Sequence, residues 1–123
     1  MFPVALVGTS EKPSLSQKLF FRLQEAGFQV APVNPNCTKI GEVVCFPSLA
    51  AIPKKPEVVI FMVNPKLTLQ ILPQVVDLNI KKVWFQPGTF DDEVLAYCKE
   101  HQLSVEHEKC LLIAPPQVLK DFA

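Results

Sequence analysis

The chain has 123 residues, 49% of them hydrophobic, and its 12 basic and 12 acidic side chains leave a formal net charge of zero. That length suits one domain, spanning 1–123, with a real hydrophobic core. The balanced charge argues against a nucleic-acid partner, whose phosphate backbone calls for a basic face, and no run approaches the roughly 18 apolar residues of a membrane helix.

Met1-Phe2-Pro3 lacks a charged leader, so a cytoplasmic location is expected. Cys37, Cys45, Cys98 and Cys110 show no C-x-x-C spacing, and in such a compartment they read as reduced thiols.

Strands and helices alternate along the chain. Pro3 to Val7 is an apolar run of the buried-strand kind, followed by the small-residue turn Gly8-Thr9-Ser10-Glu11-Lys12-Pro13. Ser14 to Ala26 reads as a helix: Ser14-Leu15-Ser16-Gln17 has the form of a capping box, and Leu15, Leu19, Phe20, Leu23 and Ala26 share one face. Gly27 stands where a left-handed residue ends a helix. Phe28 to Val33 is the second strand, broken by Asn34-Pro35-Asn36. Gly41 to Phe46 is either a short edge strand or an extended loop, and Ser48 to Ile52 one or two helical turns.

Glu57 to Val63 is the most apolar segment and reads as a central strand buried on both faces. Asn64 caps the next helix with Pro65 at its first position, and Pro73 predicts a kink or turn before the main helix runs to Asn79. Lys82 to Gln86 is the fourth strand. After the Pro87-Gly88 turn, a helix begins at Thr89 to Asp92 with acidic residues at its positive end. Leu103 to Glu106 is the fifth strand. Leu111 to Ile113 is either a last short strand or a strapping segment, and residues 114–123 read as a loosely attached tail. The pattern is that of an α/β, Rossmann-like three-layer fold with a mostly parallel sheet of five or six strands.

Ligands of such sheets bind at the carboxyl ends of the strands, where the strand order reverses. That rim holds Gly8, Thr9 and Ser10, then Asn34 and Pro35, Val63 and Asn64, and Gln86 and Pro87. Gly8 lets the backbone approach an anion, the hydroxyls and amides of Thr9 and Ser10 can line a concave nest, and Lys12 brings a positive charge. An ordinary strand-to-helix turn of small residues is the competing reading. Gly8 has no glycine two or five residues on, so a standard dinucleotide fingerprint is absent. Sites that grip a ribose diol place Asp or Glu at the end of the second strand, whereas Asn34 is neutral there. Neutrality favours a ligand with phosphate on its ribose, such as coenzyme A, over NAD, unless Asn34-Pro35-Asn36 is turn chemistry alone. No metal motif accompanies His101 and His107, and no catalytic constellation is visible. Cys45 and Cys110 remain the thiols open to a Cys–His or mixed-disulfide role.

In this order, Val7-Gly8-Thr9-Ser10-Glu11-Lys12-Pro13, Val33-Asn34-Pro35, Gly41 with Cys45-Phe46-Pro47-Ser48-Leu49, and Val83-Trp84-Phe85-Gln86-Pro87-Gly88 resemble the CoA-binding domain family. These are small proteins similar to the nucleotide-binding domain of the succinyl-CoA synthetase alpha subunit. Glu108-Lys109-Cys110-Leu111 resembles the family's closing segment, and the likeness runs from about Pro3 to Ile113.

The resemblance implies coenzyme A bound at the rim. Gly8, Thr9, Ser10 and Lys12 would hold phosphate, and Asn34 and Pro35 would border the adenosine end. Val63, Asn64, Gln86 and Pro87 would line the adjoining cleft. The chain departs from the family at Met62-Val63-Asn64, where an Arg is frequent, and at Leu112, where a Lys is frequent. The phosphorylated histidine and partner subunit of the synthetases have no counterpart here. The expected role is therefore non-catalytic binding of coenzyme A or an acyl-CoA. The alternatives are a sensor module for NAD or another nucleotide, an enzyme that uses CoA as thiol substrate or carrier, and an interaction domain whose site has decayed. The protein partner, if one exists, is left open.

Overall fold

A computed structural model describes residues 2–123. Five strands, β1 (Phe2–Val7), β2 (Phe28–Val33), β5 (Val58–Phe61), β6 (Lys82–Phe85) and β7 (Ser104–Glu106), form one parallel sheet in the order β2-β1-β5-β6-β7. Between β2 and β5 the chain makes a small antiparallel hairpin of β3 (Lys39–Ile40) and β4 (Val43–Val44). The segment Gly41 to Phe46 is thus neither one edge strand nor a plain loop. Its last residue, Phe46, makes a single parallel bridge to Val33. The helices are α1 (Leu15–Glu25), α2 (Pro65–Asp77), α3 (Asp92–Glu100) and α4 (Gln117–Phe122), with one 3-10 turn at Leu49–Ala51.

Period-two alternation divides the sheet between two cores. Val4 and Leu6 of β1 and Val58 and Ile60 of β5 face α1, α4 and the hairpin. Ala5 and Val7, with Val59 and Phe61, face α2 and α3. All four residues of β5 are fully buried, as a central parallel strand requires. The sheet is thereby covered on both sides and the three-layer expectation holds.

Several local expectations are corrected. Leu15 is 61% exposed, and its neighbour Ser16 is buried in its place, donating to or accepting from Ser14 Oγ at 2.9 Å. Ser14 accepts from the Gln17 amide as the N-cap, but Gln17 does not return the bond. Its side-chain amide reaches back to the carbonyls of Ser10 and Glu11 and ties the turn to α1 instead.

Pro73 lies inside a continuous α2, with no turn before it. It sits on the exposed face of the helix, where water can serve the Leu69 carbonyl that its missing N–H leaves free. The helix expected to begin at Thr89 to Asp92 is α3, and it starts one residue beyond Asp91, which acts as its N-cap and accepts from the Val94 amide.

The tail is not loose. Leu119 is fully buried and Phe122 packs edge-on against Trp84, with ring centroids 5.6 Å apart. Leu111 to Ile113 is a strap and not a strand: Arg22 donates from Nε to the Leu111 carbonyl and from Nη2 to that of Ala114, both at 2.9 Å. Nor are all four cysteines free thiols. Cys37 and Cys45 are joined across the hairpin, with Cα atoms 5.7 Å apart, and only Cys98 and Cys110 are free. The hairpin is what brings the pair within bonding range; their spacing in sequence carries no such information.

Candidate functional site

The strand order reverses at β1. The chain leaves it for β2 on one side, then crosses to β5 on the other. The carboxyl ends of β1 and β5 therefore diverge into a crevice of the kind that receives ligands in open α/β sheets. Two hydrogen bonds hold its floor: the Gly8 amide donates to Val33 O at 2.9 Å, and the Met62 amide to Val7 O at 2.8 Å.

Gly8 has φ +99°, and a Cβ there would lie 2.8 Å from Val63 Cγ1 and 2.9 Å from the Met62 carbonyl oxygen. Only glycine lets the turn and the end of β5 come this close. The crevice opens into a cleft of about 500 Å³. Gly8, Asn34, Pro35, Asn36, Pro47 and Ser48 form its polar side, and Val63, Leu67 and Ile71 its apolar side. That volume falls within the range of small-ligand sites. A second cavity, of about 420 Å³, runs beside the amino-terminal half of β2 past Phe28, Val30, Val44 and Pro53. It lies away from the carboxyl rim and holds none of the rim residues.

The residues expected from the sequence fall into three groups. Gly8, Asn34, Pro35 and Val63 meet at the cleft. Ser10 and Lys12 stand beside it on the turn, where the Lys12 amide donates to Ser10 Oγ at 3.1 Å and the Lys12 side chain is exposed. Among the described residues the Ser10 and Glu11 amides have no protein acceptor, leaving two donors for an anion at this corner.

The others are committed elsewhere. Thr9 is fully buried and its hydroxyl donates to Leu6 O at 2.8 Å, so it shapes the turn from below. Asn64 caps α2 by accepting from the Leu67 amide at 2.9 Å. Gln86 is 2% exposed: its Oε1 accepts from Trp84 Nε1 at 3.1 Å and from the Leu111 amide at 2.9 Å, and its Nε2 donates to Cys110 Sγ at 3.4 Å. It pins the closing strap to β6. Pro87 is exposed in the following turn.

Asn34 has a part that its residue type alone did not reveal. Its Nδ2 donates to Thr9 O at 2.9 Å and its Oδ1 accepts from the Asn36 amide at 2.9 Å. One neutral side chain thus holds the first turn against the second. Glu11 adds a further tie, its carboxylate accepting from the Thr38 amide. Pro47, Ser48, Leu67, Ile71 and Gln74 complete the cleft and were not named as site residues from the sequence. They come from the hairpin's exit and from α2, and only the fold brings them to the rim.

A family model described as CoA binding domain matches residues 3–116. The chain belongs to the CoA-binding domain family. Among solved structures, a conserved hypothetical protein from Pyrococcus furiosus superposes with a TM-score of 0.86 at 32% identity, over 92% of this chain and 98% of that one. A hypothetical protein from Pyrococcus horikoshii OT3 gives 0.84 at 36% identity, over 89% of this chain and 78% of that one. Among curated proteins, acetate–CoA ligase [ADP-forming] II of Archaeoglobus fulgidus is 28% identical over 117 residues, covering 83% of this chain. The chain spans only 17% of that ligase's length.

The remaining reactive side chains lie outside the cleft wall. Burial pushes the Cys98 thiol up to about 11, which keeps it protonated and inert near neutrality. His101 Nδ1 is 3.0 Å from the Tyr97 carbonyl and its ring stacks on Tyr97, while His107 packs on Phe90. Among the described residues no group of His, Cys, Asp and Glu could hold a metal, and no helix is long and apolar enough to cross a membrane.

Proposed function

We propose that this domain binds coenzyme A or an acyl-CoA, without transforming it, at the cleft between the carboxyl ends of β1, β2 and β5. The observation that carries this reading is the meeting of Gly8, Asn34, Pro35 and Val63 at the crossover of a CoA-binding domain family fold. The phosphates lie against the Ser10 and Glu11 amides, with Ser10 Oγ as a further donor and Lys12 as the nearby cation. The apolar wall of Leu67 and Ile71 offers a surface for the uncharged part of the ligand. Asn34 leaves the end of β2 without a carboxylate that would repel a ribose phosphate, and its bonds to Thr9 and Asn36 hold that arrangement. The engagement of His101 and His107 and the burial of Cys98 support a binding role over a catalytic one. A cytoplasmic location belongs to the same reading.

Calorimetric titration with coenzyme A, dephospho-CoA and NAD in parallel tests it. Coenzyme A is expected to bind more tightly than the other two, and Ser10→Ala and Lys12→Ala to weaken it while thermal stability is unchanged. Tighter binding of NAD would replace this reading with a dinucleotide sensor. Absence of binding by all three would favour an interaction domain, a reading supported by the lack of any Lys or Arg in the cleft wall.

A further inference from the structure

Cys37 and Cys45 are buried against the core, and their disulfide lies next to the cleft. Asn36, which lines the cleft, precedes Cys37, and Phe46 and the cleft residue Pro47 follow Cys45. The ends of the bridged loop are tied to each other and to β2. The Cys37 amide donates to Asn34 O at 3.2 Å, the Cys45 amide to Thr38 O at 2.9 Å, the Asn34 amide to Phe46 O at 2.9 Å, and the Phe46 amide to Pro32 O at 2.8 Å. Asn34 and Glu11 then carry the connection to the phosphate turn through Thr9 O and the Thr38 amide.

What the bridge closes is weak by itself. The strands β3 and β4 have two residues each, and a hairpin of that size has little stability without a further constraint. Opening it would free the segment that walls the cleft on the β2 side.

We propose that Cys37–Cys45 is a redox latch on the ligand cleft, closed when oxidised and open when reduced by a dithiol. As a statement about coenzyme A it rests on the function proposed above; as a statement about the cleft wall it does not. A thiolate of the dithiol attacks one sulfur of the bridge and releases the other cysteine as a thiolate, which takes up a proton. The second thiol of the reductant then displaces the first cysteine. Two electrons and two protons pass to Cys37 and Cys45, and the reductant leaves as its own disulfide. Cys37 keeps only 9% of its surface and Cys45 6%, so attack follows local opening of the hairpin, and a ligand that holds the wall closed slows it. By linkage, the factor by which reduction weakens ligand binding is the factor by which the ligand disfavours reduction.

The test is amide hydrogen exchange on the whole protein, as purified and after dithiothreitol, combined with titration of coenzyme A into both forms. Alkylation before reduction is expected to leave Cys37 and Cys45 unlabelled; labelling of either would overturn the proposal. On reduction the amides of Asn34, Cys37, Cys45 and Phe46 are expected to exchange about tenfold faster or more, with Val59 and Ile60 of β5 unchanged. Coenzyme A is expected to bind the reduced form at least about fivefold more weakly. Unchanged exchange at the four amides overturns the latch whatever coenzyme A does. Equal affinity in the two forms also overturns it and leaves the CoA reading intact. Faster exchange in a protein that does not bind coenzyme A when oxidised supports the latch on the wall and refutes the ligand. The double variant C37S/C45S is expected to behave as the reduced form, and reduction of the native chain supplies the same comparison if that variant fails to fold.

Discussion

Gly8→Ala isolates the close approach on which the cleft depends, because the protein supplies its own control. Gly8 and Gly27 have nearly the same backbone conformation, φ +99° and +94°. A Cβ at Gly27 meets nothing within 4 Å, whereas at Gly8 it meets Val63 Cγ1 at 2.8 Å, Met62 O at 2.9 Å and Met62 C at 3.1 Å. Gly27→Ala therefore measures the conformational cost alone, about 1–2 kcal/mol. Gly8→Ala adds the cost of pushing away the Met62 backbone that follows β5, about 1–3 kcal/mol by analogy with overpacked cores. The total is then about 2–5 kcal/mol out of the roughly 5–15 kcal/mol typical of a whole domain. Two of the three clashing atoms are backbone, so a rotamer change at Val63 cannot relieve them. Urea unfolding of the two variants beside the parent gives the comparison directly. A Gly8→Ala cost no larger than that of Gly27→Ala would refute the reasoning, since it would mean that β1 and β5 part at their carboxyl ends without resistance. Ligand affinity should fall with Gly8→Ala and not with Gly27→Ala, because Gly8 and Val63 are both cleft residues.

Three other outcomes are expected. Gln86→Leu leaves Trp84 Nε1 and the Leu111 amide buried without their acceptor; two such losses cost about 2–4 kcal/mol, read by denaturant unfolding, and no loss of stability would show that the strap is not held by Gln86. Leu119→Ala removes a fully buried side chain from the core beside Trp84 and should cost about 2–5 kcal/mol, whereas a neutral result would make the tail dispensable. Cys98 has a folded-state pKa raised from 9.0 to about 11 by burial. The folded state thus holds the proton more tightly than the unfolded state. Its stabilising contribution is complete below about pH 9 and is lost as pH rises towards about 11. Unfolding measured across that window should show a decline that Cys98→Ala reduces, and an identical slope in both proteins would refute the assignment.

Much of the fold was legible because it rests on local rules. The apolar runs of β1, β2 and β5 each exceed what an exposed strand would carry. Ser14 and Asn64 announce helix starts by side chains that reach only three residues ahead. Gly27 marks the end of α1 with the positive φ expected of it. The turn at Gly8 and the break at Asn34 were recognisable for the same reason, and both residues line the cleft. Where local rules competed with packing, packing prevailed. Pro73 would end an isolated helix, but α2 is held against the sheet by Leu72 and Val75 on either side of it, while Pro73 itself faces water. Leu15 fits the apolar face by spacing, but it lies in the first turn of α1 and stays 61% exposed.

Sequence by itself determined the alternation of strands and helices, the family, and the small-residue corner that follows β1, because each depends on residues close together in the chain. Tertiary structure alone decided how those residues divide their labour. Thr9, Asn34 and Gln86 have side chains that could as well face a ligand, and they are turned to Leu6, Thr9 with Asn36, and Trp84 with Leu111. It also decided that Cys37 meets Cys45, that Leu119 and Phe122 complete the core, and that Leu67 and Ile71 wall the cleft. The reason is physical: a buried polar group must find a partner and an apolar one must find cover, and which partner or cover is available depends on segments distant in sequence that only the folded chain brings together.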